Sequence, residues 1–140
     1  GIDSIKKKLD AIARIAATME MQNIELHCGR FELFGHEPLL REQADIVTAR
    51  AVAELPVLLE YAVPLLRVGG LCAFWKSSHT ADELASSLNA QNVLQCKFVG
   101  EYQYDLGDEW GKRVILFFKK MAPTSEKYPR EVSVPKASPL

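Results

Sequence analysis

Three short polar clusters fall where apolar, strand-like runs come to an end: Gly29-Arg30-Phe31-Glu32, Thr48-Ala49-Arg50 and Lys76-Ser77-Ser78. In sheets of parallel strands, ligands bind beyond those ends. The residue types point to anion binding. An arginine such as Arg50 stays charged and donates a planar fork of hydrogen bonds, which suits a carboxylate or a phosphate. The competing reading pairs Arg50 with Glu54 on the following helix. Lys6, Lys7 and Lys8 form a second basic group in the first turn of an expected helix, the end at which the helix dipole disfavours cations. They are either a solvated face or the seat of an anionic partner. A third group, Lys127, Arg130 and Lys136, lies in a proline-punctuated tail.

Activated nucleophiles and strong bases are missing from this inventory. No HExxH, GxSxG, P-loop or GxGxxG pattern occurs. His27, His36 and His79 lack ligand spacing, so surface or core roles are expected and no metal is assigned. Cys28, Cys72 and Cys96 sit in apolar runs without a CxxC and read as three buried thiols in a reducing compartment. Any reaction here should therefore rest on positioning and electrostatics.

These residues need a frame. At 140 residues, with 48% hydrophobic and 25% charged residues, the chain suits one soluble domain or part of one. No apolar run approaches the roughly 20 residues that span a bilayer, and a soluble, cytoplasmic protein is expected. The net charge of −1 leaves only local patches for nucleic acid. Asp3 or Ser4 is placed to cap a helix whose apolar face is Ile5, Leu9, Ile12, Ile15, Ala16 and Met19. Strands are expected at residues 23–30, 44–50, 71–76, 93–104 and 112–119. Helices are expected at 55–67, with Pro56 in its first turn and Gly69-Gly70 ending it, and at 80–89 with Thr80 as its cap. Strands alternating with helices predict an α/β fold with a mostly parallel sheet, and the last two strands an antiparallel hairpin. Residues 1–124 form the domain and 125–140 the tail.

Four stretches in this order, "DSIKKK" from Asp3, "GRFELFG" from Gly29, "ADIVTARAVAELPVLLEYAVPLLRVGG" from Ala44 and "KYPREVSVPKASPL" from Lys127, make the chain resemble the RsmG (GidB, glucose-inhibited division protein B) family. The resemblance implies a Rossmann-like class I methyltransferase fold that uses S-adenosylmethionine to methylate N7 of one guanine in 16S ribosomal RNA. The implied partner is that RNA or the small ribosomal subunit precursor. The tail matches the family's ending. The start matches the point just after the family's second strand, which implies a C-terminal part lacking the N-terminal helices, the central first strand and the Gly-rich cofactor loop. Such a piece alone is expected to bind S-adenosylmethionine poorly and to be inactive.

The resemblance also implies residue roles. Asp3, with Ser4 beside it, falls where a carboxylate accepts both ribose hydroxyls, a role that coexists with capping. Phe31 and Glu32 fall in the adenine-side turn, where Phe31 replaces a small residue. Arg50 contacts the cofactor and positions the reacting groups. Lys76, followed by Ser77 in place of the usual glycine, positions them from the next strand and reaches RNA. Lys7, Lys8, Arg113, Lys127, Arg130 and Lys136 are the remaining RNA contacts. The tail has a competing reading, in which it packs on the sheet through Tyr128 and Leu140. Two other functions remain open: a non-catalytic RNA-binding relative that has lost the cofactor site, and a nicotinamide-dependent enzyme supported by fold alone.

Overall fold

Residues 55–66 are almost wholly apolar, and every one of them is buried. They form the centre around which the chain folds. The computed structural model describes residues 1–77, 80–107 and 111–140. Ser78, His79 and the 108–110 segment of the expected hairpin loop lie outside the described residues. In order the elements are β1 (Ile2–Asp3), α1 (Lys6–Thr18), β2 (His27–Cys28), α2 (Phe31–Phe34), β3 (Ala44–Arg50), α3 (Leu55–Ala62), β4 (Leu66–Ser77), α4 (Ala81–Ser86), α5 (Leu88–Val93), β5 (Cys96–Asp105), β6 (Lys112–Lys120) and α6 (Val134–Ala137).

β1 and β2 form a small parallel sheet. The other four strands form a second sheet in the order β3-β4-β6-β5. β3 and β4 are parallel, and β6 runs antiparallel to both β4 and β5. This is the expected α/β architecture with its antiparallel hairpin, and β4 and β6 are the interior strands of the larger sheet. One face of the larger sheet carries Cys72, Phe74, Val114, Leu116 and Phe118, which pack with Leu55, Leu59, Leu66 and Leu94 into one core. Truncating any of these leucines to alanine costs about 2–5 kcal/mol.

Several boundaries differ from those the sequence suggests. α3 stops at Ala62 because Pro64 cannot continue the backbone ladder; a single 3-10 turn follows, and β4 begins at Leu66. Gly69-Gly70 therefore lies inside a strand. Gly69 takes φ +85°, and a Cβ on Gly70 would meet the carbonyl oxygens of Arg67 and Asp45 at 3.0 Å, where the β3–β4 register shifts. The expected helix at 80–89 is two short helices meeting at Ser87, and Thr80 makes no side-chain capping bond. The strand at 23–30 shrinks to two residues, whose alternation turns Cys28 outward, so only Cys72 and Cys96 are buried thiols. Burial pushes the Cys96 thiol up to about 12. In α1 only Leu9 and Ala16 are buried, while Ile12 and Ile15 face outward. Ile5, not Asp3 or Ser4, occupies its N-cap position.

Candidate active site

β1 ends at Asp3, whose Oδ1 accepts the Ile5 amide at 2.8 Å. Its Oδ2 faces Lys8 Nζ at 3.5 Å. The parallel pairing sets Asp3 opposite Cys28, and the Gly29 amide donates to the Asp3 carbonyl at 3.1 Å. A Cβ on Gly29 would meet the Phe34 ring at 3.1 Å, so the small residue lets the chain turn tightly into α2. That turn brings Asp3, Ser4, Phe31 and Glu32 onto one recess of about 220 Å³, with Lys8 and Lys136 at its rim.

Glu32 is the anchor of this recess. Its Oε1 accepts from Arg30 Nη2 at 3.0 Å, Tyr61 Oη at 3.3 Å and the Ser133 amide at 3.1 Å. Burial opposes its ionisation. Backbone amides, that of Ser133 among them, and the Arg30 guanidinium outweigh burial and hold its carboxyl below the usual range. Burial and the Glu32 charge push the Tyr61 phenol up to about 12. Phe31 stacks on Tyr61 at 5.4 Å between ring centroids. Glu32 Oε2 and Arg30 Nε are buried without a partner among the described residues.

A larger cleft of about 670 Å³ separates the two sheets, walled by Ile2, His27 and Phe31 on one side and by Ile46, Thr48 and Arg50 on the other. Arg50 is exposed and makes no side-chain hydrogen bond or ion pair among the described residues, Glu54 included. After it, Ala51 adopts the left-handed region at φ +56°, and residues 50–52 divide the cleft from the recess and from a third cavity at the end of β4.

The other basic residues separate into two classes. Lys7, Lys8, Lys127 and Lys136 are exposed, and Arg113 is half-buried, donating to the Lys112 carbonyl. Lys76 and Arg130 instead have internal work. Lys76 Nζ is 2.6 Å from Glu83 Oε2 and 3.0 Å from the Ala53 carbonyl, and the same Glu83 oxygen accepts the Leu55 amide. It clamps the β3 exit to α4. Arg130 forms a two-pronged pair with the fully buried Glu60, at 2.7 Å for Nη2–Oε2 and 2.9 Å for Nε–Oε1. The tail is thus strapped over α3, with Tyr128 and Leu140 against the core. Glu60, Glu83, Tyr61 and Tyr104 escaped the sequence reading. Glu60 alone carried a signal, a lone charge inside an apolar run. His36 Nε2 donates to the Pro129 carbonyl at 2.7 Å, a structural role.

This framework has close counterparts in sequence. The family model described as "GidB: rRNA small subunit methyltransferase G" matches residues 2–105. The chain belongs to the GidB family. A protein of Exiguobacterium sp. named ribosomal RNA small subunit methyltransferase G is 39% identical over 139 residues, which is 99% of this chain and 58% of that one. A namesake from Desulfitobacterium hafniense is 37% identical with the same coverage. This GidB chain therefore spans 58% of the length of these relatives. Among solved structures, a putative methyltransferase from Thermoplasma acidophilum superposes with a TM-score of 0.63 at 9% identity, covering 88% of this chain and 57% of its own. An rRNA methylase from Streptococcus thermophilus gives 0.60 at 16% identity, covering 86% and 72%. These place the GidB chain in the class I methyltransferase fold.

Among the described residues no helix is long and apolar enough to cross a membrane, and no group of His, Cys, Asp and Glu could hold a metal ion.

Proposed function

We propose that the protein works as an S-adenosylmethionine-dependent methyltransferase that modifies N7 of a guanine in 16S ribosomal RNA, on the RNA or on the small-subunit precursor in the cytoplasm. The observation that carries this reading is the geometry around residues 50–52. One short exit loop separates the Asp3 recess from a cationic, aromatic cavity, within a chain of the GidB family.

The donor set fits the cofactor. The Asp3 carboxylate offers two acceptors to vicinal hydroxyls. The Phe31 ring, held by Tyr61, gives a flat face to an adenine. Glu32 reaches no solvent with Oε1, which is engaged inside the fold, so its contribution is to fix that turn. When bound, S-adenosylmethionine supplies an electrophilic methyl group to the N7 lone pair, which has no proton to lose. The protein then needs no general base. Arg50 holds an anionic group of cofactor or RNA beside the reacting atoms. Lys76 holds the loop that aims Arg50. Lys7, Lys8, Arg113, Lys127 and Lys136 are the phosphate contacts, and Arg130 is reassigned from that list to the tail strap.

The open cleft between β1 and β3 supports weak cofactor binding by this chain alone. A strand from the additional length of the relatives, seated there, would join both sheets into one. Calorimetric titration of S-adenosylmethionine into this chain, and into a version extended as in the relatives, is the test. Binding by the extended version, weakened by Asp3→Ala and by Arg50→Ala, supports the enzyme. Binding by neither leaves the non-catalytic RNA-binding relative.

A further inference from the structure

The third cavity is not explained by the cofactor. It measures about 310 Å³ and lies at the carboxyl end of β3 and β4, lined by Arg50, Trp75, Lys76, Tyr104 and Arg113 among others. Strand register sets its composition. Arg50, Trp75, Ile115 and Tyr102 lie directly opposite one another across the four strands, and Ser77, Arg113 and Tyr104 form the next row. Directly opposed residues share a face. Neither row contains a carboxylate. Lys76 is neutralised by Glu83 from the other face. The Arg50 and Arg113 guanidinium groups have no acidic partner among the described residues. Beside them, the Tyr102 and Tyr104 rings are stacked at 6.1 Å with an interplanar angle of 18°, and Tyr102 is 61% exposed.

Two guanidinium groups without an acidic partner among the described residues, beside a flat aromatic stack, match one ligand chemistry: an unpaired nucleotide, with its base on a ring and its phosphates on the arginines. We infer that this cavity seats the unstacked target nucleotide, with Tyr104 as its stacking surface, Tyr102 behind it taking a neighbouring base, and Arg113 and Arg50 on the flanking phosphates. The inference rests on the proposed methyl transfer to RNA and names the place where the acceptor lies. A recess of this size admits a base turned out of its helix and excludes a duplex, which must be opened for chemistry on one base. An acidic peptide would satisfy the arginines and leave the tyrosines idle.

The test uses this chain, without S-adenosylmethionine, and a fluorescein-labelled RNA decamer of uridines around one central guanine. Anisotropy titration should show the single strand binding at least about tenfold more tightly than a duplex of the same length. Tyr104→Leu should weaken it about tenfold, within the range for losing one base–aromatic stack, while Tyr104→Phe stays at the wild-type value. Arg113→Gln should lower the slope of log K against log salt by about 0.7, one phosphate contact on a single strand. With 2-aminopurine in place of the guanine, wild-type protein should quench its emission; this arm needs no variant to fold. Unchanged emission, equal binding by Tyr104→Leu at an unchanged melting temperature, full competition by polyglutamate, or no binding of the decamer overturns the inference. In the version extended as in the relatives, cofactor titration of Tyr104→Leu should match that of the unsubstituted protein, so failure here and failure of the methyltransferase reading give separate signatures.

Discussion

Glu60 is a carboxylate with no exposed surface, set in a helix of apolar residues. Its cost is met by the two-pronged Arg130 pair and the Arg130 amide at 2.8 Å. Removing one partner of such a pair strands the other charge. Arg130→Ala should therefore destabilise the fold by about 3 kcal/mol, read by urea unfolding, and should free the tail to proteolysis near Lys127. Glu60→Met, which removes the charge and keeps the volume, should restore part of the loss in the Arg130→Met background. If Arg130→Ala leaves stability unchanged and lowers RNA affinity alone, the strap reading is wrong and phosphate contact is right. Glu32 supplies a pH signature. Its folded carboxyl ionises more readily than its ordinary value of 4.5. Its contribution is thus fully present above that value and is lost as pH falls through the lower, folded one. The stability gap between wild type and Glu32→Gln should be constant at neutral pH and should close below about pH 4.5. A gap that does not narrow at all as pH falls below 4.5 would show that Glu32 acts by shape and not by charge.

At the scale of elements, what could be read from the sequence followed local periodicity. β3 and β6 are apolar runs bounded by polar residues and β5 interleaves the two types, and the positions of all three were legible to within a few residues. β4 was legible only in its second half. Its first half carries Gly69-Gly70, which local rules assign to a helix end, whereas tertiary packing brings β4 so close to β3 that a Cβ on Gly70 would meet the Asp45 carbonyl oxygen at 3.0 Å. The recess was legible in Asp3, Ser4, Phe31 and Glu32 because all four sit in two short stretches. The clamps were not, because Lys76–Glu83 and Arg130–Glu60 join residues whose partnership exists only after folding. Gly70 offers a direct check on this account. A methyl group there must push backbone carbonyls, which cannot yield as a side-chain tip would. Gly70→Ala should cost about 1–3 kcal/mol, the range for overpacking, with the loss read by denaturant midpoint and with no change in affinity for the RNA decamer. A neutral result would mean that the β3–β4 irregularity is plastic.

For the whole molecule, the cleft between the two sheets decides behaviour. Among the described residues β3 pairs only with β4, so its other edge presents unpaired backbone groups alongside Ile46, which is 60% exposed. Open edges of this kind template pairing with another chain, and a charge on the edge suppresses it. This chain should therefore self-associate as its concentration rises, and Ile46→Lys should shift sedimentation toward the monomer while leaving the core intact. In a version extended as in the relatives, the sign should reverse. If a further strand fills the cleft, Ile46 becomes interior and Ile46→Lys buries a charge against apolar neighbours, lowering stability by several kcal/mol. The same substitution thus separates two molecules: one whose sheet edge is open, where lysine improves solubility, and one whose sheet is continuous, where lysine breaks it. An equal and small effect in both would mean that the extra length of the relatives does not enter the cleft. The Asp3 recess would then have to bind its ligand with one wall open.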